Sequence, residues 1–139
     1  MNIRQFNQKM DQRIKNVEKE VEKRMVRSVE LVRGHAVRNI ARGSKSGTTR
    51  QLYNPRRTHT SSAPGEFPAS DTGFLVSSIT TDVDVEGTTV VGKIVASAPY
   101  APHLEFGTTN MQARPFMQPS LESQSRRIEK IFAEGKLVK

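Results

Sequence analysis

Cysteine and tryptophan are absent from the 139-residue chain. Without cysteine, disulfide scaffolds, thiolate metal sites and cysteine nucleophiles are excluded together. A chain without cysteine gives no indication of whether the protein works in an oxidising or a reducing compartment. Apolar residues are scarce as well. They make up 35% of the sequence, against about 45–50% in globular domains when glycine is counted too, and the nine glycines do not close that gap. We therefore expect one domain, 1–139, part of which lies outside a packed core unless a partner completes it.

Long apolar runs are also missing. No run approaches the roughly 18 apolar residues that a membrane-spanning helix needs. The first 30 residues are densely charged, unlike the apolar segment of a signal peptide. We expect no membrane segment and no signal peptide.

The motifs of common catalytic sites do not occur. HExxH, GxSxG, Walker A and GxGxxG are absent, and the three histidines lie far apart. His103 and Glu105 form an HxE pair like that of zinc deaminases, but the cysteine motif of those sites is missing. Asp82, Asp84 and Glu86 alternate along a predicted strand, without the spacing of an EF-hand. We expect no enzymatic activity, no cofactor and no metal site.

The basic excess is unevenly distributed. The chain has 22 lysines and arginines against 14 acidic side chains, a formal charge of +8. Residues 1–42 carry 11 basic and 5 acidic side chains, whereas residues 71–98 carry one basic and four acidic ones. A basic front and an acidic middle indicate complementary faces, or a chain that approaches a polyanion.

The apolar residues of the first 42 positions recur every three or four residues. This period predicts one long basic amphipathic helix over 1–42 that stops near Gly43. Its apolar stripe consists of Ile3, Phe6, Met10, Ile14, Val17, Val21, Met25, Val29, Val32, Ala36 and Ile40. About 40 helical residues measure roughly 60 Å, which is long for a domain of this size. We expect part of the stripe to pack on something outside its own domain.

The rest of this helix surface is basic, and two interpretations stay open. It is either a solvated helix face or a rod that faces nucleic acid or an acidic protein. A leucine-zipper DNA-binding helix would require heptad leucines beside it, and the sequence has none. Membrane-surface binding is disfavoured because Phe6 is the only aromatic residue of the stripe.

Residues 43–73 are rich in Gly, Ser, Thr and Pro and show no period. A stretch of this length is too long for an ordinary connection, so it is either disordered or functional. We interpret it as an extended, mobile surface loop. Arg50, Arg56 and Arg57 in this loop are candidates for contact with DNA or a protein partner.

Residues 74–139 predict a small antiparallel sheet and a C-terminal helix. Residues 74–79 fit either a short helix or the start of a strand. Alternation over 79–85 and a β-branched run over 90–96 predict a hairpin with its turn at 86–89. Residues 120–133 predict a helix, followed by a basic tail at 136–139. The expected buried side of that helix is Leu121, Ile128, Ile131 and Phe132. The expected fold class is α+β.

Two stretches of this half resemble a bacteriophage family. The first is SAPGEFPA at 62–69, followed by DTG at 71–73, Leu75 and Ser78-Ile79. The second is PYA at 99–101, LEFGT at 104–108 and ARPF at 113–116 with Pro119. In order and spacing they are similar to the neck or tail-component proteins typified by gene product ten of a lambda-like siphophage. The sequence departs from the family pattern at Pro102-His103 and in its unusually basic front helix.

The resemblance implies a non-enzymatic structural protein of the virion. Such a protein forms a ring, expected to be a hexamer, at the head–tail junction, and is in the host cytoplasm during assembly. Its partners would be its own copies, the connector or head-closure protein, the tail terminator or tail tube, and DNA passing through the lumen. The alternative is a stand-alone, sequence-nonspecific nucleic-acid-binding protein that uses the basic N-terminal half.

The second motif stretch supplies the candidate interface residues. Charged and aromatic side chains beside glycine and proline are of the types enriched at interface hot spots. The candidates are Tyr100, Glu105, Phe106, Arg114 and Phe116. The sharpest hypothesis is an ion pair between Glu105 and Arg114, within one subunit or between two. In the simplest alternative, Phe106 and Phe116 are core residues of one subunit.

Overall fold

The computed structural model describes residues 1–135 as four helices and two β-hairpins, which confirms the α+β prediction. The predicted tail at 136–139 lies outside the described residues. In chain order the elements are α1 (Ile3–Arg42), β1 (Thr49–Tyr53), β2 (Arg56–Thr60), α2 (Phe74–Ser78), β3 (Ile79–Glu86), β4 (Thr89–Ala96), α3 (Ala101–Phe106) and α4 (Met117–Ala133).

Helix α1 has the length that the apolar period predicts. It begins with a capping box, in which the Asn2 side chain accepts from the Gln5 backbone N–H at 2.8 Å and the Gln5 side chain accepts from the Asn2 N–H at 3.2 Å. It ends at Arg42, and Gly43 follows as its C-cap. The buried residues of α1 all lie in its second half, between Ser28 and Ile40. Only that half belongs to the body of the protein.

Strands β3 and β4 form the predicted hairpin. Their antiparallel register runs from Ile79 opposite Ala96 to Glu86 opposite Thr89, and Gly87 turns the chain at φ 61°. One face of this sheet packs against α1. Gly92 allows the close approach, since a Cβ there would lie 2.6 Å from Cγ1 of Val29.

The core lies where α1, α2, β3, α3 and the start of α4 meet. It is built from Ala36, Ile40, Leu75, Ile79, Ala98, Ala101 and Phe116. Helix α4 then runs back along α1. Its terminal carbonyls are satisfied from α1, because Nη1 of Arg24 donates to the carbonyl oxygens of Ile131 at 2.9 Å and Phe132 at 3.2 Å.

The predicted loop at 43–73 is not irregular throughout, because β1 and β2 pair as a hairpin within it. Thr49 lies opposite Thr60 and Tyr53 opposite Arg56. The pairing is supported across the strands by the two threonine hydroxyls, 3.0 Å apart. Most side chains on both faces of this hairpin are exposed. A strand pair without a buried face leaves no alternation of apolar and polar residues in the sequence.

Two further expectations about the second half are refined. Residues 74–78 form a helix and residue 79 begins the strand, so both alternatives for this segment occur in succession. Helix α4 begins at Met117 rather than at residue 120. Leu121 is 48% exposed, contrary to the prediction, because α4 turns Ser120, Gln124 and Ile131 inward instead.

Candidate assembly interface

The two motif stretches lie against each other and form one structural unit. The backbone N–H of Gly65 donates to the carbonyl oxygen of Ala113 at 3.0 Å. Nε of Arg114 donates to the carbonyl oxygen of buried Ser62 at 3.1 Å. Both stretches also line one open cavity of about 340 Å³, to which Tyr100 contributes. The motifs that carry the family resemblance therefore build a single region of the fold.

Glu105 caps the N-terminus of α4. Its carboxylate accepts backbone hydrogen bonds from Phe116 at 2.9 Å and from Met117 and Gln118 at 3.0 Å each. These N–H groups have no partner inside the helix, and the positive end of the helix dipole favours a carboxylate there. The loop that makes this possible turns at Gly107, where a Cβ would lie 2.9 Å from the backbone N of Ala113.

The predicted ion pair between Glu105 and Arg114 is wrong within one protomer. Among residues 1–135, the partners of Glu105 are backbone N–H groups. The Arg114 guanidinium donates to two carbonyl oxygens, those of Ser62 and Gln112. Both side chains therefore hold the motif unit together. An ion pair between neighbouring subunits stays a prediction.

The two candidate phenylalanines have opposite environments. Phe116 is 1% exposed and belongs to the core, so its assignment to an interface is wrong. Phe106 is 82% exposed. Tyr100 is partly exposed and lies tilted against Phe74, with 6.1 Å between the ring centroids. Of these aromatic residues, Phe106 is the most exposed.

Phe106 borders an apolar groove of about 710 Å³. The groove lies between β4, α3 and α4, with Val32 of α1 contributing to its wall. Its other apolar lining residues include Ile94, Ala96, Met117 and the exposed Leu121. The exposure of Leu121 and Phe106 along one groove makes a continuous apolar surface.

Residues 3–16 of α1 form a second apolar surface, which we call the projecting segment. Every residue of this segment is exposed. Its stripe side chains include Ile3 at 81%, Phe6 at 54% and Ile14 at 52% exposure. This part of the stripe packs on nothing within its own fold. Its packing on something outside the domain stays a prediction.

The arginines of the β1–β2 hairpin differ in their surroundings. Arg57 forms an ion pair with Asp71, and its Nη1 donates to the Asp71 carbonyl oxygen at 3.2 Å. Arg50 and Arg56 are exposed and form no ion pair within residues 1–135. Tyr53 is exposed at the end of β1. The hairpin presents two unpaired guanidinium groups and an aromatic ring at the surface.

The charged groups around Glu66 were not singled out from the sequence. The Glu66 carboxylate accepts from the N–H of Ala63 at 2.9 Å and from the N–H of Ser46 at 3.1 Å, and also from the Ser46 hydroxyl. These hydrogen bonds lower the pKa of Glu66. Next to it, Nζ of Lys45 donates to the Phe67 carbonyl oxygen at 2.8 Å, and burial lowers the pKa of Lys45. Lys45 also donates to the Asn39 carbonyl oxygen at 3.0 Å, so it ties the end of α1 to the SAPGEF stretch.

His35 lies at a contact between two helices rather than in solvent. The ring is half-buried between α1 and α4, with Nδ1 3.1 Å from the Ser120 hydroxyl and an edge-on contact to Phe67. Burial lowers the pKa of His35, and the charge of Arg38 lowers it further. The helical period of α1 shows that His35 lies off the apolar stripe. It does not show that Ser120 of α4 packs against the ring.

Within the described part of the chain, 1–135, no group of three or more histidine, aspartate or glutamate side chains is arranged to hold a metal ion. No helix there is both long and apolar enough to cross a membrane. The two motif stretches are held together by hydrogen bonds. The projecting segment, the groove beside Phe106 and the β1–β2 hairpin leave apolar and charged surfaces exposed. Comparison of the chain with protein-family models, curated proteins and solved structures gives no match.

Proposed function

We propose that the chain is a structural subunit of a tailed-bacteriophage virion. Copies of it form a ring at the head–tail junction, as a neck or tail-completion component, and link the connector to the tail. The observation that carries this proposal is the projecting segment of α1, whose apolar stripe no part of its own fold covers. The order and spacing of the two motif stretches, which resemble those of phage neck or tail-component proteins, indicate which kind of assembly the subunit belongs to.

The physical argument rests on uncovered apolar surface. Contiguous exposed apolar surface on a folded chain is typical of protein–protein contact sites. This chain has such a surface at the projecting segment and another along the groove beside Phe106. Two different surfaces on one subunit suit the head-to-tail contacts from which closed rings are made.

The charge distribution supports the same proposal. The projecting segment is basic, with four basic side chains and one acidic one in residues 3–16. The strand β3 is acidic, with Asp82, Asp84 and Glu86 on the sheet face away from α1. Opposite charges on separate surfaces of one subunit favour contact between copies and fix its register.

A second candidate function is sequence-nonspecific nucleic-acid binding. The exposed Arg50 and Arg56 beside Tyr53 on the β1–β2 hairpin favour it. Cations neutralise phosphates and aromatic rings stack on bases, without reading sequence. In a ring the same side chains would contact DNA passing through the lumen; in a stand-alone protein they would be the whole binding site.

The experiment that separates the two functions uses purified virions and free protein. Mass spectrometry of gradient-purified virions of the encoding phage is expected to detect the chain at several copies per particle. In parallel, DNA binding by the isolated chain is measured against salt concentration. Absence from virions, together with salt-dependent DNA binding by a monomer, would replace the first proposal with the second.

A further inference from the structure

The apolar and charged side chains of the projecting segment lie on different sides of the helix. A helix turns about 100° per residue, so Lys9 and Arg13 lie one turn apart on one edge of the apolar stripe. Arg4 and Lys15 lie about 120° and 140° from the centre of the stripe, on the far side of the helix, and Asp11 lies nearer that edge. Cations one turn apart are separated by about 6 Å along the axis. The segment therefore presents an apolar strip with a pair of positive charges along one edge.

The sheet β3–β4 has a matching surface on the side away from α1, which we call the outer face. Its register places Asp82 opposite Lys93, Asp84 opposite Val91 and Glu86 opposite Thr89. The outer face comprises Thr80, Asp82, Asp84 and Glu86 of β3 and Thr89, Val91, Lys93 and Val95 of β4. The carboxylates thus follow β3, while β4 carries two valines with Lys93 between them.

The outer face is accessible and carries net negative charge. Asp82 and Val95 are exposed, and Asp84 and Val91 are half-buried. Lys93 offsets part of the charge, since its Nζ lies 3.1 Å from Oδ2 of Asp84 and 3.8 Å from Oε1 of Glu86. Asp82 forms no ion pair within residues 1–135, although Lys93 lies opposite it in the register.

The spacings of the two surfaces agree. Successive outward residues of an antiparallel strand are about 6.8 Å apart, close to the roughly 6 Å between Lys9 and Arg13. A helix laid along the sheet would place these cations over the carboxylates of β3. Its apolar stripe would then lie over Val91 and Val95 of the neighbouring strand.

We propose that the projecting segment of one copy docks on the outer face of β3–β4 of a second copy. The proposal rests on the proposed function and names the contact by which the subunits associate. Nucleic acid would neutralise Lys9 and Arg13 but leave Ile3 and Phe6 in water, whereas a second copy covers both. The projecting segment and the outer face are different surfaces, so each copy can dock on one neighbour and receive the segment of another. Such contacts repeat head to tail.

Reversing the charges on either the projecting segment or the outer face tests whether the two surfaces meet. K9E/R13E and D82K/D84K are each expected to lower the association constant of the full chain roughly tenfold or more, because like charges then face each other. In an equimolar mixture, opposite charges face each other at every contact between the two different variants. It is expected to regain association in sedimentation velocity. A mixture that stays as weak as its components overturns the proposal.

R4E/K15E is the matched control. It makes the same change in charge within the same helical segment, but on the side of the helix away from the stripe. The control is expected to associate within about threefold of the original chain. Association lost equally in R4E/K15E and K9E/R13E would show a dependence on net charge alone and would overturn the assigned register.

Cross-linking tests the contact without altering these charges, and it also covers a failure of D82K/D84K to fold. The chain has no cysteine, so M10C and V95C can be introduced in separate chains, one carrying a size tag. A disulfide requires Cα atoms within about 7 Å. Mixed M10C and V95C are expected to give the heterodimer on oxidation, and K15C in place of M10C is not.

The outcomes separate this inference from the proposed function. Disulfide dimers of M10C with itself, in place of the mixed pair, would show that projecting segments pair with one another and would overturn the docking. A chain that sediments as a monomer at about 1 mM would overturn it too. Neither outcome removes the chain from virions, whereas absence from virions overturns the proposed function and leaves the docking unaffected.

Discussion

The carboxylate of Glu105, in α3, accepts a hydrogen bond from the backbone N–H of Phe116 at 2.9 Å, directly before α4. This contact closes the chain between the two residues into a loop and fixes where α4 begins. It also gives the two candidates different roles. Glu105 caps a helix and Phe116 anchors the core, while Phe106, one residue after Glu105, remains exposed.

Loss of the Glu105 carboxylate is expected to destabilise the fold. In Glu105→Ala three backbone N–H groups of α4 lose their acceptor, which costs about 1–3 kcal/mol of unfolding free energy. Glu105→Gln keeps an acceptor oxygen without the charge and is expected to lose about half as much. Urea unfolding measures both. Glu122→Ala, an exposed change on α4, is the control and is expected within about 0.5 kcal/mol of the original chain. Equal stability of Glu105→Ala and the control would refute the capping role.

Arg114 is expected to stabilise the motif unit through its hydrogen bonds. Arg114→Ala leaves the carbonyl oxygen of buried Ser62 without its donor, at a cost of about 1–2 kcal/mol. Arg114→Lys is expected to recover little, because an ammonium does not reproduce the planar fork. Limited proteolysis is expected to cut the 43–73 segment faster in both variants. Unchanged cleavage there, with Arg126→Ala as the exposed control, would contradict this role.

Gly92 and Gly34 are expected to respond oppositely to alanine. At Gly92 the new Cβ would meet Cγ1 of Val29 at 2.6 Å and Sδ of Met25 at 2.7 Å. This overpacking is expected to destabilise the protein by about 1–3 kcal/mol. At Gly34, inside α1, the nearest atom would be Nη1 of Arg38 at 4.0 Å. Higher helix propensity is expected to stabilise that variant by up to about 1 kcal/mol. The midpoint of thermal unfolding of each variant is compared with that of the original chain. A stabilised Gly92→Ala would mean that α1 does not lie on β4 as described.

Stability is expected to decrease with acidity through His35. The pKa of His35 is lowered in the folded protein, first by burial and then by the charge of Arg38, from the ordinary 6.5. The unfolded chain therefore takes up a proton more readily than the folded one. The contribution of His35 is fully present above the unfolded value and is lost as the pH falls below about 6.5 towards the folded value.

The measurement is urea unfolding between about pH 7.5 and 5.5, above the ordinary range of carboxylates. His35→Gln is expected to flatten the dependence of unfolding free energy on pH in this interval. An identical slope in the original chain and in His35→Gln would contradict the burial of this ring between α1 and α4.

The sequence predicts the elements that carry their own periodic signal. The bounds of α1 follow from its apolar stripe and Gly43, and the β3–β4 hairpin follows from alternation interrupted at Gly87. The β1–β2 hairpin gives no such signal, because its two-sided exposure leaves its residue types unconstrained by burial.

The roles of the candidate residues depend on contacts that no local pattern encodes. Phe106 and Phe116 are each part of a motif, and only the packing of α3 and α4 on the core decides which is buried. The Glu105 cap spans 11 residues of chain, and His35 meets Ser120 across 85. Residue type suggested charge pairing for Glu105, whereas three nearby N–H groups without helical partners satisfy it instead.

We propose that this chain joins heads to tails as a structural subunit. Electron microscopy of lysates from a phage with this gene disrupted tests the proposal. Filled heads and complete tails are expected to remain separate, with joined particles restored when the intact chain is supplied in trans. Normal yields of joined, infectious virions without the chain would show that it does not join heads to tails.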